Sequence, residues 1–155
     1  MHGLGNDFVV MYNLDGDISL SIDEIRKLAD GRFGIGFDQL LMVESATSRE
    51  ADFRYIIYNA DGSEVNQCGN GARCFALYIQ KKNLSYKNSL TVETNSGLLI
   101  LKINSDNSVT VDMGTPSYEP SKIPLNFENI SSHYIIDGLK FGSLSIGNPH
   151  AIVIQ

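Results

Sequence analysis

The sequence predicts an α+β protein built on mixed, mainly antiparallel sheets. Segments with strand character outnumber those with helical periodicity by about six to two, and the links between them are too short for the helical crossovers of a Rossmann repeat. The composition, 43% hydrophobic and 19% charged over 155 residues, supplies the apolar surface for a core that needs neither disulfides nor metal.

Residues 8–12 read as the first strand. Ser21-Ile22-Asp23-Glu24 fits a capping box, after which Ile22, Ile25, Leu28 and Ala29 share one helical face. Gly31 is the expected stop of that helix. Residues 40–44 form a short apolar run, and residues 53–58 are rich in the aromatic and β-branched side chains that suit a strand. Asn59-Ala60-Asp61-Gly62-Ser63 is turn chemistry. Residues 71–82 read as a helix, with Ala72, Phe75, Ala76 and Ile79 at helical spacing. Residues 90–93, 98–103 and 108–113 read as strands, the last two joined by the hairpin loop Asn104-Ser105-Asp106-Asn107. Residues 143–146 and 151–154 complete the set. No repeat, linker or internal domain boundary is visible. Both ends run into strands, as expected of one lobe of a longer protein.

Twelve basic against eighteen acidic residues give a net charge of −6. With no basic run, the chain is not expected to bind nucleic acid or an anionic membrane. It has no run of roughly 18 apolar residues. Its first residues lack the basic and apolar regions of a signal peptide. Two cysteines are too few for a disulfide framework, so a reduced, cytoplasmic protein is expected.

The chemistry concentrates around Cys68, which precedes the glycine-rich turn Gly69-Asn70-Gly71 at the start of the second helix. The N–H groups at a helix N-terminus have no intrahelical partners, and the helix dipole is positive there. That setting favours a thiolate, which is a base or nucleophile. It also lets a carboxylate dock on the amides of Gly69, Asn70 and Gly71. Most free cysteines are simply small buried residues, and Cys68 could be one. Cys74 lies six residues on, rotated by roughly 240° in a helix, so it faces elsewhere and is expected to pack in the core. His2, His133, His150 and the two cysteines have no metal-site spacing, so no metal is expected. The Rossmann and P-loop fingerprints are absent. Asn148 precedes Pro149, which restrains it to an extended conformation and could aim its amide into a site. A plain turn is the simpler reading there, as it is for Asn6.

Five segments in order resemble the diaminopimelate epimerase family. They are Met1-His2-Gly3-Leu4-Gly5-Asn6-Asp7-Phe8, Gly34-Ile35-Gly36-Phe37-Asp38-Gln39-Leu40, Asn59-Ala60-Asp61-Gly62-Ser63-Glu64, Gln67-Cys68-Gly69-Asn70-Gly71-Ala72-Arg73-Cys74 and Gly147-Asn148-Pro149-His150. The resemblance covers the whole chain but only the N-terminal half of the family's sequence. It implies sheets wrapped around a central helix in each of two similar lobes, with residues 1–155 forming the N-terminal lobe and the C-terminal lobe absent. It implies a cofactor-independent epimerase of lysine and peptidoglycan biosynthesis that interconverts LL- and meso-diaminopimelate. In that reaction two cysteines act on opposite faces of the α-carbon, and Cys68 matches the first. Gly69 and Asn70 match the carboxylate cradle. Asn6, Gln39, Asn59 and Asn148 match polar substrate contacts, and His150 matches a position that tunes the cysteines' acidity. The expected partners are the small-molecule substrate and, for the full-length form, a second copy in a homodimer.

The family usually has a few more residues before Met-His-Gly. The second cysteine, the second cradle and the Glu-Arg pair for the distal end of the substrate belong to the missing half, so the isolated chain is expected to be inactive. Related readings are a proline racemase, a phenazine-pathway isomerase, or an inactive binding half. Asn70 in the Cys-Gly-Asn-Gly motif favours diaminopimelate over a proline racemase, and a cysteine at position 68 disfavours the phenazine type.

Overall fold

The structure is a computed structural model that describes residues 1–154. It divides into two compact units, Met1–Asp112 and a second beginning at Met113. No composition shift or linker in the sequence marks this boundary.

The first unit contains β1 (His2–Gly3), β2 (Asn6–Asn13), α1 (Ile22–Ala29), β3 (Gln39–Glu44), β4 (Phe53–Asn59), β5 (Glu64–Val65), α2 (Gly69–Lys81), β6 (Ser89–Thr94), β7 (Gly97–Ile103) and β8 (Val109–Asp112). All eight strands form one sheet in the order β1-β2-β3-β4-β6-β7-β8, with β5 also paired to β4. Only β2–β3 and β4–β6 are parallel. Both expectations, mixed and mainly antiparallel, therefore hold.

The sheet curls around α2, which packs against β1, β2, β3, β7 and β8. Strand alternation explains how. Leu41 and Val43 of β3 and Phe53, Tyr55 and Ile57 of β4 point toward α2, where they meet Ala72, Cys74, Phe75, Ala76 and Ile79. Leu40, Met42 and Ile56 point the other way, onto Ile25 of α1. The apolar run in β3 is thus covered on both faces, which is why it does not alternate in sequence.

The capping box of α1 forms as the sequence predicts: the Ser21 hydroxyl accepts from the Glu24 N–H, and the Glu24 carboxylate accepts from the Ser21 N–H. Ile22 is not on the buried face; it is 54% exposed. Gly31 does not terminate the helix by a left-handed turn. The reversal runs through Asp30, whose carboxylate accepts from the N–H groups of Arg32 and Phe33. Gly34 then lies against the end of α1, where a Cβ would sit 2.2 Å from the Lys27 carbonyl. Helix α2 begins at Gly69, two residues earlier than the apolar spacing suggests, because its cap is Cys68. The two-residue strands β1 and β5 and the strand at Tyr134–Ile136 are too short or too mixed to read from periodicity.

The second unit is a three-stranded antiparallel sheet of β9 (Tyr134–Ile136), β10 (Leu139–Ser145) and β11 (Pro149–Ile152), in the order β11-β10-β9. Tyr134 packs against Phe127 and Phe141 in tilted ring contacts, with centroids 4.8 and 6.0 Å away. Among the described residues no helix is long and apolar enough to cross a membrane, and no cluster of side chains could hold a metal ion.

Candidate active site

Cys68 is the N-cap of α2, in an extended conformation (φ −144°, ψ 110°), with its sulfur accepting from the Gly71 N–H at 3.4 Å. This corrects one part of the expected cradle. The Gly71 amide is taken by Cys68 itself, whereas the N–H groups of Gly69 and Asn70, in the first turn, have no protein acceptor among the described residues. A partly buried sulfur and two free amides therefore share one helix end.

Two neighbours that sequence reasoning passed over hold this end in place. Tyr55 donates its hydroxyl to the Cys68 carbonyl at 3.3 Å. Burial above all pushes that phenol well above its ordinary range, so it remains a donor. Arg73 donates to the Asn70 side-chain oxygen at 2.6 Å. Arginine only donates, so the Asn70 oxygen is occupied and its NH2 is left as a donor for an anion. The three-residue spacing of Asn70 and Arg73 was the available signal.

Cys74 is 3% exposed, and burial raises its thiol above the ordinary value. It packs among Phe75, Ile79 and the sheet, away from the helix end.

Asn6, Gln39 and Asn59 come together at one end of three adjacent strands. They sit at the start of β2, the start of β3 and the end of β4, and the β3–β4 register pairs Gln39 with Asn59. Their side chains form a row: Asn6 Nδ2 donates to Gln39 Oε1 at 3.4 Å, and Gln39 Nε2 donates to Asn59 Oδ1 at 2.9 Å. The row continues through Asn59 Nδ2 to Ser63 Oγ at 3.1 Å, and from Ser63 Oγ to Asp61 Oδ1 at 2.5 Å. Asp38 ties the same strand ends, accepting the Asp7 N–H at 2.7 Å. The row meets the cradle at the β1–β2 hairpin. Gly3 pairs with Asn6, and a Cβ at Gly3 would lie 3.2 Å from the Asn70 carbonyl.

Asn148 and His150 belong to the second unit. The Asn148 side-chain oxygen is buried without a hydrogen-bond partner among the described residues. His150 is exposed on β11, with Nδ1 3.0 Å from the Asn148 carbonyl.

A family profile described as diaminopimelate epimerase matches residues 1–119. A diaminopimelate epimerase from Vesicomyosocius okutanii subsp. Calyptogena okutanii (strain HA) is 54% identical over 154 residues, 99% of this chain and 57% of that protein. The chain thus spans a little over half the length of this curated relative. Two solved structures share the fold. A hydroxyproline epimerase from Agrobacterium vitis aligns with a TM-score of 0.62 at 15% identity, over 84% of this chain and 39% of that one. A phenazine biosynthesis protein from Bacillus anthracis aligns with a TM-score of 0.61 at 24% identity, over 99% and 51%. Matched by the profile over most of its length and by a relative at 54% identity, the chain belongs to the diaminopimelate epimerase family.

Proposed function

We propose that the chain is the N-terminal lobe of a cofactor-independent isomerase that interconverts LL- and meso-diaminopimelate, a step of lysine and peptidoglycan biosynthesis in the cytoplasm. The observation that carries this reading is the pairing of the Cys68 sulfur with the unclaimed amides of Gly69 and Asn70 at one helix N-terminus.

Removing an amino-acid α-proton creates negative charge on the adjoining carboxylate. Amides already aimed at that carboxylate, and the positive end of the helix dipole, stabilise the charge as it develops. Cys68, as thiolate, takes the proton from one face. The Gly71 N–H already donates to that sulfur, which fixes its position at the helix end. Asn70 adds its side-chain NH2 to the cradle, held by Arg73. Asn6, Gln39, Asn59 and Asn148 supply further polar contacts to the substrate, and His150 tunes the acid–base pair. Inversion also requires an acid on the opposite face. That acid is a second cysteine in the other half of the protein, and the full-length form is a homodimer.

No Schiff-base cofactor is required in this scheme. Lys81 and Lys82 sit at the C-terminal end of α2, about 20 Å from Cys68 at the rise of a helix.

The test is α-deuteration. LL-diaminopimelate in D2O is followed by NMR with the 155-residue chain alone, and with this chain fused to the C-terminal part of its Vesicomyosocius relative. The expected result is negligible turnover by the chain alone and α-exchange with epimerisation by the fusion. Rapid epimerisation by the chain alone, or none by a folded fusion, contradicts the reading.

A further inference from the structure

We propose that Asp61, a turn residue outside the substrate contacts, is a positioning residue that sets the orientation of the Asn59, Gln39 and Asn6 amides, so that the row presents an oxygen acceptor at Asn6. This inference rests on the proposed activity only for its consequence on substrate binding.

The number of available protons fixes the direction of each hydrogen bond in the row. A carboxylate accepts and cannot donate. Asp61 Oδ1 receives both the Ser63 N–H, at 2.8 Å, and the Ser63 hydroxyl, at 2.5 Å. The hydroxyl has one proton, and it is spent on Asp61. Toward Asn59, Ser63 Oγ can therefore only accept, and Asn59 must turn its NH2 to it, at 3.1 Å. That leaves the Asn59 oxygen for the Gln39 NH2 and the Gln39 oxygen for the Asn6 NH2. Asn6 Oδ1 is then the acceptor that ends the row.

An amide can flip by 180° at little steric cost, so without an anchor each member could present either atom. The anchor is itself held: Arg26 Nε donates to the Asp61 carbonyl at 2.8 Å. Its carboxyl lies below the usual range because of the Ser63 hydroxyl and N–H. An acceptor at Asn6 suits an ammonium group and disfavours a carboxylate, and amino-acid substrates carry both.

Asp61→Asn tests this, because an asparagine there can donate as well as accept. In the 155-residue chain without ligand, 15N spectra should show the side-chain NH2 signals of Asn59, Gln39 and Asn6 all displaced. In the two-lobe fusion, KM for diaminopimelate should rise about tenfold while kcat changes less than about threefold. Ser63→Ala breaks the same link and should reproduce both effects if Asp61→Asn folds poorly. Unmoved Gln39 and Asn6 signals, or an unchanged KM, overturn the proposal. If the unsubstituted fusion fails to epimerise, the proposed activity falls, and the spectra of the isolated chain still decide the role of Asp61.

Discussion

Gly71 faces the Tyr55 hydroxyl so closely that a Cβ at position 71 would lie 2.3 Å from the phenolic oxygen. The first turn of α2 can therefore rest on β4 only if residue 71 has no side chain. Tyr55 also holds the Cys68 carbonyl, so the same contact sets the height of the catalytic candidate above the sheet.

Gly71→Ala should destabilise the chain by about 1–3 kcal/mol, the usual cost of overpacking. Urea unfolding measures it. Tyr55→Phe removes the obstructing oxygen, so the double substitution should cost less than the sum of the two single ones. Strict additivity would show that the two residues do not press on each other.

The two cysteines should differ in reactivity. Cys68 is partly exposed, whereas Cys74 is buried and its thiol is pushed up by that burial. Iodoacetamide on the native chain should label Cys68 first, and urea should bring Cys74 to a similar rate. Faster native labelling of Cys74 would contradict the structure.

Acid should weaken α1. The Ser21 hydroxyl, then the Ser21 N–H, hold the Glu24 carboxyl below its ordinary value near 4.5. Its folded value is the lower one. The stability it contributes is therefore present above the unfolded value and is lost as pH falls through the folded one. Glu24→Gln should lower the melting temperature at pH 7, and the difference should shrink as the pH falls through the folded value of Glu24. A difference that does not shrink would dismiss the capping carboxylate.

Much of this was legible in the sequence because it is local. The capping box at Ser21, the turn at Asn59 and the helix opening after Cys68 are each written in a few adjacent residues. Other features depend on tertiary register. Gly31 reads as a helix stop, yet Asp30 and Gly34 shape the reversal, because what matters is the close approach of the returning chain to the carbonyls of α1. The cradle was anticipated with three amides, but Gly71 serves the Cys68 sulfur, a choice made by rotamer and not by spacing. The Asn59–Gln39–Asn6 row emerges only once β2, β3 and β4 are in register, and Tyr55 only once the cap of α2 is packed on β4; Asp61 and Ser63 are local to the turn but gain their role through that row.

The most direct test of the account is α-deuteration of diaminopimelate by the two-lobe fusion carrying Cys68→Ala, with Cys74→Ala as its control. Loss of the proton acceptor on one face should lower epimerisation by several orders of magnitude, since acid–base partners that act as a unit do not substitute for one another. Cys74→Ala should cost about 1 kcal/mol of stability and leave turnover near that of the unsubstituted fusion. Substantial turnover with Cys68→Ala, or equal losses from both substitutions, would contradict the assignment of Cys68 as the base.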